Sequence, residues 1–154
     1  MSAQIFFHYG VVVADIAEAS NFLQNFLGFK LIQERVIEHP YISELIGQAD
    51  ISAEVALLQI DQGSFIELLK WHTSAVGEII ETKSSPKLYE FGAQHICIFT
   101  EDIEVLYSNL IGQKSVEQVS SGIVSVEVGP NVGARVFFVK LFDCLFLEVF
   151  QKAS

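Results

Sequence analysis

The sequence predicts an α+β protein of two βαβββ modules, and internal echoes predict it. The stretch His8-Tyr9-Gly10-Val11-Val12-Val13-Ala14-Asp15 has a counterpart, His95-Ile96-Cys97-Ile98-Phe99-Thr100-Glu101-Asp102, at an offset of 87 residues. Each copy reads as an apolar strand carrying one histidine and ending in an Asp followed by Ile, where an amphipathic helical pattern begins. Phe65-Ile66-Glu67-Leu68 is matched by Phe146-Leu147-Glu148-Val149 at an offset of 81, each a single carboxylate inside an apolar strand. An insertion in the first half, around residues 38 to 52, accounts for the difference between the offsets. Such modules cannot each close a sheet around a cavity, but two paired edge to edge can.

Taken in order, Ile5 to Val13 reads as a strand apolar on both faces. Asp15, with Glu18 three residues on, forms a helix cap of the capping-box kind. The helix presents Ile16, Ala19, Phe22, Leu23 and Phe26 as its apolar side and stops at Gly28. Phe29 to Ile37 reads as a second strand. Pro40 and Gly47 bracket a short helical insertion, Tyr41 to Ile46, whose tip is a candidate lid. Glu54 to Ile60 and Ser64 to Trp71 form a hairpin around the three-residue turn Asp61-Gln62-Gly63. The second half repeats this order: a strand over 93 to 100, a cap at Asp102, a helix through Leu106 and Leu110 with Gly112 as stop. Strands follow at about 116 to 120, 123 to 128, 136 to 140 and 145 to 151, the first two readable as one bent strand. The modules are thus 4 to 71 and 92 to 152, joined by a polar linker over 72 to 91, within a single domain.

Composition limits the function classes. With 154 residues, 51% of them hydrophobic and 18% charged, the chain can bury a sizeable core. A formal net charge of −10 and only 9 scattered Lys and Arg argue against a nucleic-acid partner. The most apolar segment, 136 to 150, is interrupted by Lys140, Asp143 and Glu148, so no membrane span is expected. Cys97 and Cys144 have no CxxC spacing, and Met1-Ser2-Ala3-Gln4 has no basic n-region. A reducing cytoplasm is the expected location.

Alternation along strands places Phe6, His8, Gly10 and Val12 on one face, and Ala93, His95, Cys97 and Phe99 on another. Glu67 and Glu148 stand among apolar neighbours, and no Lys or Arg shares their strand faces. A carboxylate there is costly to bury unless a cation meets it. An isolated histidine on such a strand is more simply a core residue bonded to a backbone carbonyl; its repetition argues otherwise. Two imidazoles and two carboxylates would balance one divalent ion, and this donor mix suits Ni, Zn, Co, Mn or Fe(II). Cys97 reads as a small buried hydrophobe, His39 and His72 as solvated residues, Tyr41 and Trp71 as cavity or core aromatics, and Glu101, Asp102 and Glu117 as caps and surface charge.

The motifs His-x-Gly-Val-x-Val-x-Asp-Ile, Phe-Ile-Glu-Leu-Leu, Gln-His-Ile-Cys-Ile-x-x-Glu-Asp-Ile and Phe-Leu-Glu-Val resemble those of the vicinal oxygen chelate superfamily. That group includes glyoxalase I, methylmalonyl-CoA epimerase, the extradiol dioxygenases and drug-sequestering resistance proteins. The resemblance covers nearly the whole chain and implies an open, incomplete eight-stranded barrel of two modules. It also implies metal ligands at His8, Glu67, His95 and Glu148. Leu141-Phe142-Asp143-Cys144 stands where the family often has Asp-Pro-Asp-Gly. Val12 stands where glyoxalase I typically has an Arg for the glutathione carboxylate, which argues against a glutathione adduct as substrate.

The expected activity is metal-dependent proton transfer next to a carbonyl, as in a glyoxalase-like lyase or isomerase. The ion would hold two vicinal oxygens of a small-molecule substrate and stabilise an enediolate, while Glu148 or Glu67 takes and returns the proton. Two alternatives are an Fe(II) extradiol-type dioxygenase and a metal-free binding module. Apolar sheet edges and an aromatic content of 12% predict a homodimer.

Overall fold

The structure, a computed structural model, describes residues 6–73, 77–78 and 85–153. It divides into two compact units, Met1–Thr82 and Lys83–Ser154. The expected linker begins later than its sequence suggests, because the last long strand of the first unit continues to Thr73. Within that linker, 74–76 and 79–84 lie outside the described residues.

The first unit contains β1 (His8–Val12), α1 (Ile16–Leu27), β2 (Lys30–Ile37), α2 (Tyr41–Ile46), β3 (Ile51–Asp61), β4 (Ser64–Thr73) and β5 (Gly77–Glu78). Its strands form a mixed sheet in the order β1-β4-β3-β2, with β5 added on β4. β2, β3 and β4 form an antiparallel run, whereas β1 lies parallel to β4, so the chain between them must cross over. α1 starts where Asp15 Oδ1 accepts a 2.8 Å hydrogen bond from the Glu18 amide. It ends at Gly28, whose φ of 70° lies in the left-handed region that glycine adopts without a Cβ penalty. Ile16, Ala19 and Leu23 of α1 are buried, as are Ala56, Leu58, Ile66 and Leu68 of the strands α1 packs on. Because Ile66 and Leu68 point to the helix, the intervening Glu67 must point to the other face. The β3–β4 turn is tighter than expected: Asp61 pairs with Ser64 across Gln62-Gly63, and a register irregularity at Gln59/Asp61 takes up the slack.

The second unit contains β6 (His95–Phe99), α3 (Ile103–Leu110), β7 (Val116–Gln118), β8 (Val124–Ser125), β9 (Arg135–Leu141) and β10 (Leu145–Gln151). Its mixed sheet has the order β6-β10-β9-β7, with β8 on β9 and β6 parallel to β10. Asp102 Oδ1 accepts from the Val105 amide at 3.1 Å to cap α3. The helix ends one residue before the expected stop, with Ile111 as its cap and Gly112 following at φ 91°. Phe137, Val139, Leu145, Leu147 and Val149 are buried, which sends Glu148 to the opposite face by the same alternation. The two expected strands over 116 to 120 and 123 to 128 form as separate, shorter strands that pair with opposite ends of β9, so the alternative of one bent strand does not hold. Between them the Ser120 hydroxyl accepts the Phe138 amide at 2.8 Å, replacing the missing ladder bond. Phe142 and Asp143, at φ 54° and 59°, carry the β9–β10 turn in a left-handed conformation that ordinarily favours Gly or Asn.

These two mixed sheets with three short helices are the α+β architecture expected, each unit repeating a βαβββ order with one two-residue strand added. Among the described residues, no helix is long and apolar enough to cross a membrane.

Candidate metal centre

In the first unit the parallel register sets His8 opposite Phe65 and Gly10 opposite Glu67. Glu67 leans along the strands toward His8. The result is a contact of 3.3 Å between His8 Nε2 and Glu67 Oε2, with the side chains 34% and 21% exposed. The Phe7 ring stands edge-on to the imidazole at 5.0 Å between centroids. His8 Nδ1 is buried and, among the described residues, has no hydrogen-bond partner.

The second unit repeats the arrangement with different neighbours. His95 lies opposite Phe146 and Cys97 opposite Glu148. His95 Nε2 and Glu148 Oε2 are 3.1 Å apart, and the Phe138 ring stands edge-on to His95 at 5.5 Å. Where the first unit has Gly10, this one has a thiol. Burial, the charge of Glu148 and a hydrogen bond to it push the Cys97 thiol up to about 11, so it is protonated near neutrality. Cys97 is nevertheless exposed, contrary to the buried hydrophobe expected, on the same open face of β6 as the exposed His95 and Phe99; among the described residues β6 pairs with β10 alone.

The four expected ligands are thus brought together as two pairs, His8 with Glu67 and His95 with Glu148. Among the described residues, no group of three or more His, Cys, Asp and Glu side chains is gathered for a metal ion. Each pair is a close imidazole–carboxylate contact, and its spacing also suits two donors on one ion. Ligands held at about 2.1 Å lie roughly 3.0 Å apart at a right angle and about 3.4 Å apart at the tetrahedral angle. Within each unit taken by itself, an imidazole nitrogen beside a carboxylate oxygen offers donors of the borderline hardness that first-row divalent ions accept.

Other residues stand differently from their sequence reading. Lys140 of β9 pairs in register with Phe146 and therefore shares the Glu148 face, so that face does carry a cation. Its ammonium sits 2.8 Å from Glu117 and 5.7 Å from the centre of the Phe146 ring. The alternation Phe138, Lys140 would have revealed it once the β9–β10 register was known. Glu117 is therefore an ion-pair partner as well as a surface charge. His72 is not simply solvated: it lies in β4 with Nε2 2.7 Å from Glu54 Oε1. His39 is exposed, as expected. A cavity of about 710 Å³ toward the far end of β4 is lined by Glu38, Glu44, Asp50 and His72 among others, and includes neither His8 nor Glu67.

A twofold βαβββ frame with one His–Glu pair per half defines a class of small proteins that present N/O donors from sheet faces. The chain belongs to the glyoxalase/bleomycin resistance protein/dioxygenase superfamily, whose family model matches residues 5–131, a span that holds His8, Glu67 and His95. Among curated proteins none matches the sequence. A glyoxalase family protein from Bacillus cereus shares the fold at a TM-score of 0.78 and 17% identity, covering 100% of this chain and 97% of that one. The fosfomycin resistance protein FosX from Listeria monocytogenes, solved with Mn(II) and sulfate, aligns at a TM-score of 0.54 and 15% identity, covering 100% and 94%. Leishmania major glyoxalase I, described as trypanothione-dependent, aligns at 0.57 and 18%, covering 97% and 87%.

Proposed function

We propose that the protein is a divalent-metal-dependent, glyoxalase-like enzyme that moves a proton next to a carbonyl group. The observation that carries this reading is the repeated pair: an imidazole Nε2 and a carboxylate Oε2 set side by side at 3.3 Å in one unit and 3.1 Å in the other. His8, Glu67, His95 and Glu148 would hold the ion. A bound divalent cation supplies a Lewis acid for two vicinal oxygens of a small-molecule substrate.

The rest of the chemistry falls to the chain itself. His8 and His95 would hold the ion through an imidazole nitrogen each. Glu67 or Glu148 would carry the proton between substrate carbon and carboxylate oxygen, and as a base would need to stand off the cation, because a neighbouring positive charge lowers a carboxylate's basicity. The phenyl rings of Phe7 and Phe138 stand edge-on to the imidazoles of His8 and His95. Its location in the cytoplasm and its assembly as a homodimer are part of the same proposal.

Metal analysis of the purified, reconstituted protein beside its His95→Ala variant tests the reading. One ion per chain in the parent and its loss in the variant are expected. Equal, negligible metal in both would replace this reading with a metal-free binding module, and O₂-dependent ring cleavage with Fe(II) would replace it with a dioxygenase.

A further inference from the structure

We infer that Cys97 is a positioning residue: from its place on β6 directly opposite Glu148, its thiol steers that carboxylate onto His95, a support that Gly10 cannot give Glu67 in the first unit. The role rests on the proposed metal-dependent reading, whereas the contact belongs to the second unit alone. β6 runs parallel to β10 with His95 opposite Phe146 and Cys97 opposite Glu148, so the Glu148 side chain leaves its strand beside the thiol and reaches along the strands to His95 Nε2, 3.1 Å away. Two residues stand directly opposite Glu148, Cys97 on β6 and Phe138 on β9, and of these only the thiol has a proton to donate. Cys97 hydrogen-bonds the Glu148 side chain. An ionised carboxylate can only accept, which makes the thiol the donor. The same face of β6 also carries His95, which meets Glu148, and Phe99, whose ring stands edge-on to Phe150 and lies 4.8 Å from the Lys152 ammonium.

Glu67 is placed differently. Directly opposite it stand Gly10 on β1 and Leu57 on β3, neither of which has a polar side-chain atom. Space does not dictate the glycine: a Cβ built on Gly10 would meet Leu69 Cδ1 at 3.8 Å, an ordinary contact. The two His–Glu pairs thus resemble each other in spacing and differ in what stands beside the carboxylate. A carboxylate already held in one orientation loses less rotamer freedom when it takes up an ion. Removing such an outer partner of a ligand costs roughly 10–100-fold in metal affinity. Cys97 is exposed, so water competes for its hydrogen bond and the lower end of that range applies.

Two measurements test this, the first on metal-free protein. The S–H stretching band of Cys97, identified in the infrared spectrum by its loss in C97A, is expected below the position of a free thiol and should move up in E148Q, where the acceptor is neutral. A band at the free-thiol position, or one that E148Q leaves in place, overturns the inference while leaving the metal reading standing. The second is calorimetric titration with Mn²⁺, a cation that takes oxygen donors in preference to thiolates. C97A should lose about tenfold in affinity, and C97S, which restores a donor of similar reach, should come within about threefold of the parent. An affinity unchanged in C97A, or lost as fully in C97S, overturns the positioning role. A thiolate-to-metal absorption band with Co²⁺ that C97S abolishes would make Cys97 a ligand itself and overturns that role too. Parent protein that holds no first-row divalent ion overturns the metal reading instead, and the infrared band still decides the contact.

Discussion

Replacing Glu67 or Glu148 by Gln separates a shared four-ligand centre from two independent ion pairs. Gln keeps the shape of the side chain and one acceptor oxygen while removing the charge. In the metal-free protein little stability should be lost. The His8–Glu67 and His95–Glu148 contacts, at 3.3 and 3.1 Å, join side chains that are 34% and 21%, and 45% and 21%, exposed. Pairs this open to water contribute about 0.2–1 kcal/mol. At roughly 2–4 °C per kcal/mol for a chain of this size, the melting temperature should fall by no more than about 4 °C. Metal affinity should respond far more. Disturbing even an outer partner of a ligand costs roughly 10–100-fold, so losing a direct ligand should cost at least about 100-fold, near 2.7 kcal/mol. Calorimetric titration with Zn²⁺ or Mn²⁺ gives both affinity and stoichiometry. One ion per chain in the parent, with affinity lost in E67Q and in E148Q alike, is the expected pattern. Two ions per chain, each abolished by one variant only, or an affinity unchanged within about threefold in either variant, would refute the shared centre.

Both cysteines give a second prediction. The Cys97 and Cys144 thiols are each pushed up to about 11, chiefly by burial. The folded protein thus holds these protons more tightly than the unfolded chain does. The stabilisation is whole below pH about 9 and is lost as pH rises through about 11. Thiolate absorbance of the metal-free protein should rise near pH 11, and urea stability should decline less steeply between pH 9 and 11 in a C97A/C144A variant than in the parent. Leu147 is fully buried next to Glu148. Its replacement by Ala should cost about 2.7–5 kcal/mol in urea unfolding, the range for well-packed leucines; a loss under 1 kcal/mol would show that the β10 core collapses around the gap.

The caps were readable because they act over a few residues: Asp15 and Asp102 reach amides three positions ahead, and both hydrogen bonds form. The facing of Glu67 and Glu148 was readable because alternation is a property of any strand flanked by buried neighbours. Strand ends were less so. β3 begins at Ile51 rather than Glu54, since pairing with Thr73 at the far end of β4 extends it beyond its own apolar pattern. Cys97 shows the same limit from the other side: an apolar strand does not encode whether it will be central or at an edge.

By itself the sequence determined the repeated βαβββ order, the capped helix starts at Asp15 and Asp102 and the place of one His and one Glu in each half, since each depends on short-range periodicity and on an internal repeat. Only the tertiary structure decided that His8 meets Glu67 and His95 meets Glu148, pairs separated by 59 and 53 residues. Parallel register brings them within reach, and no local propensity specifies the register of strands so far apart. The same long-range pairing put Lys140 with Glu117 and His72 with Glu54. A side chain's partner is set by which strand folds beside its own.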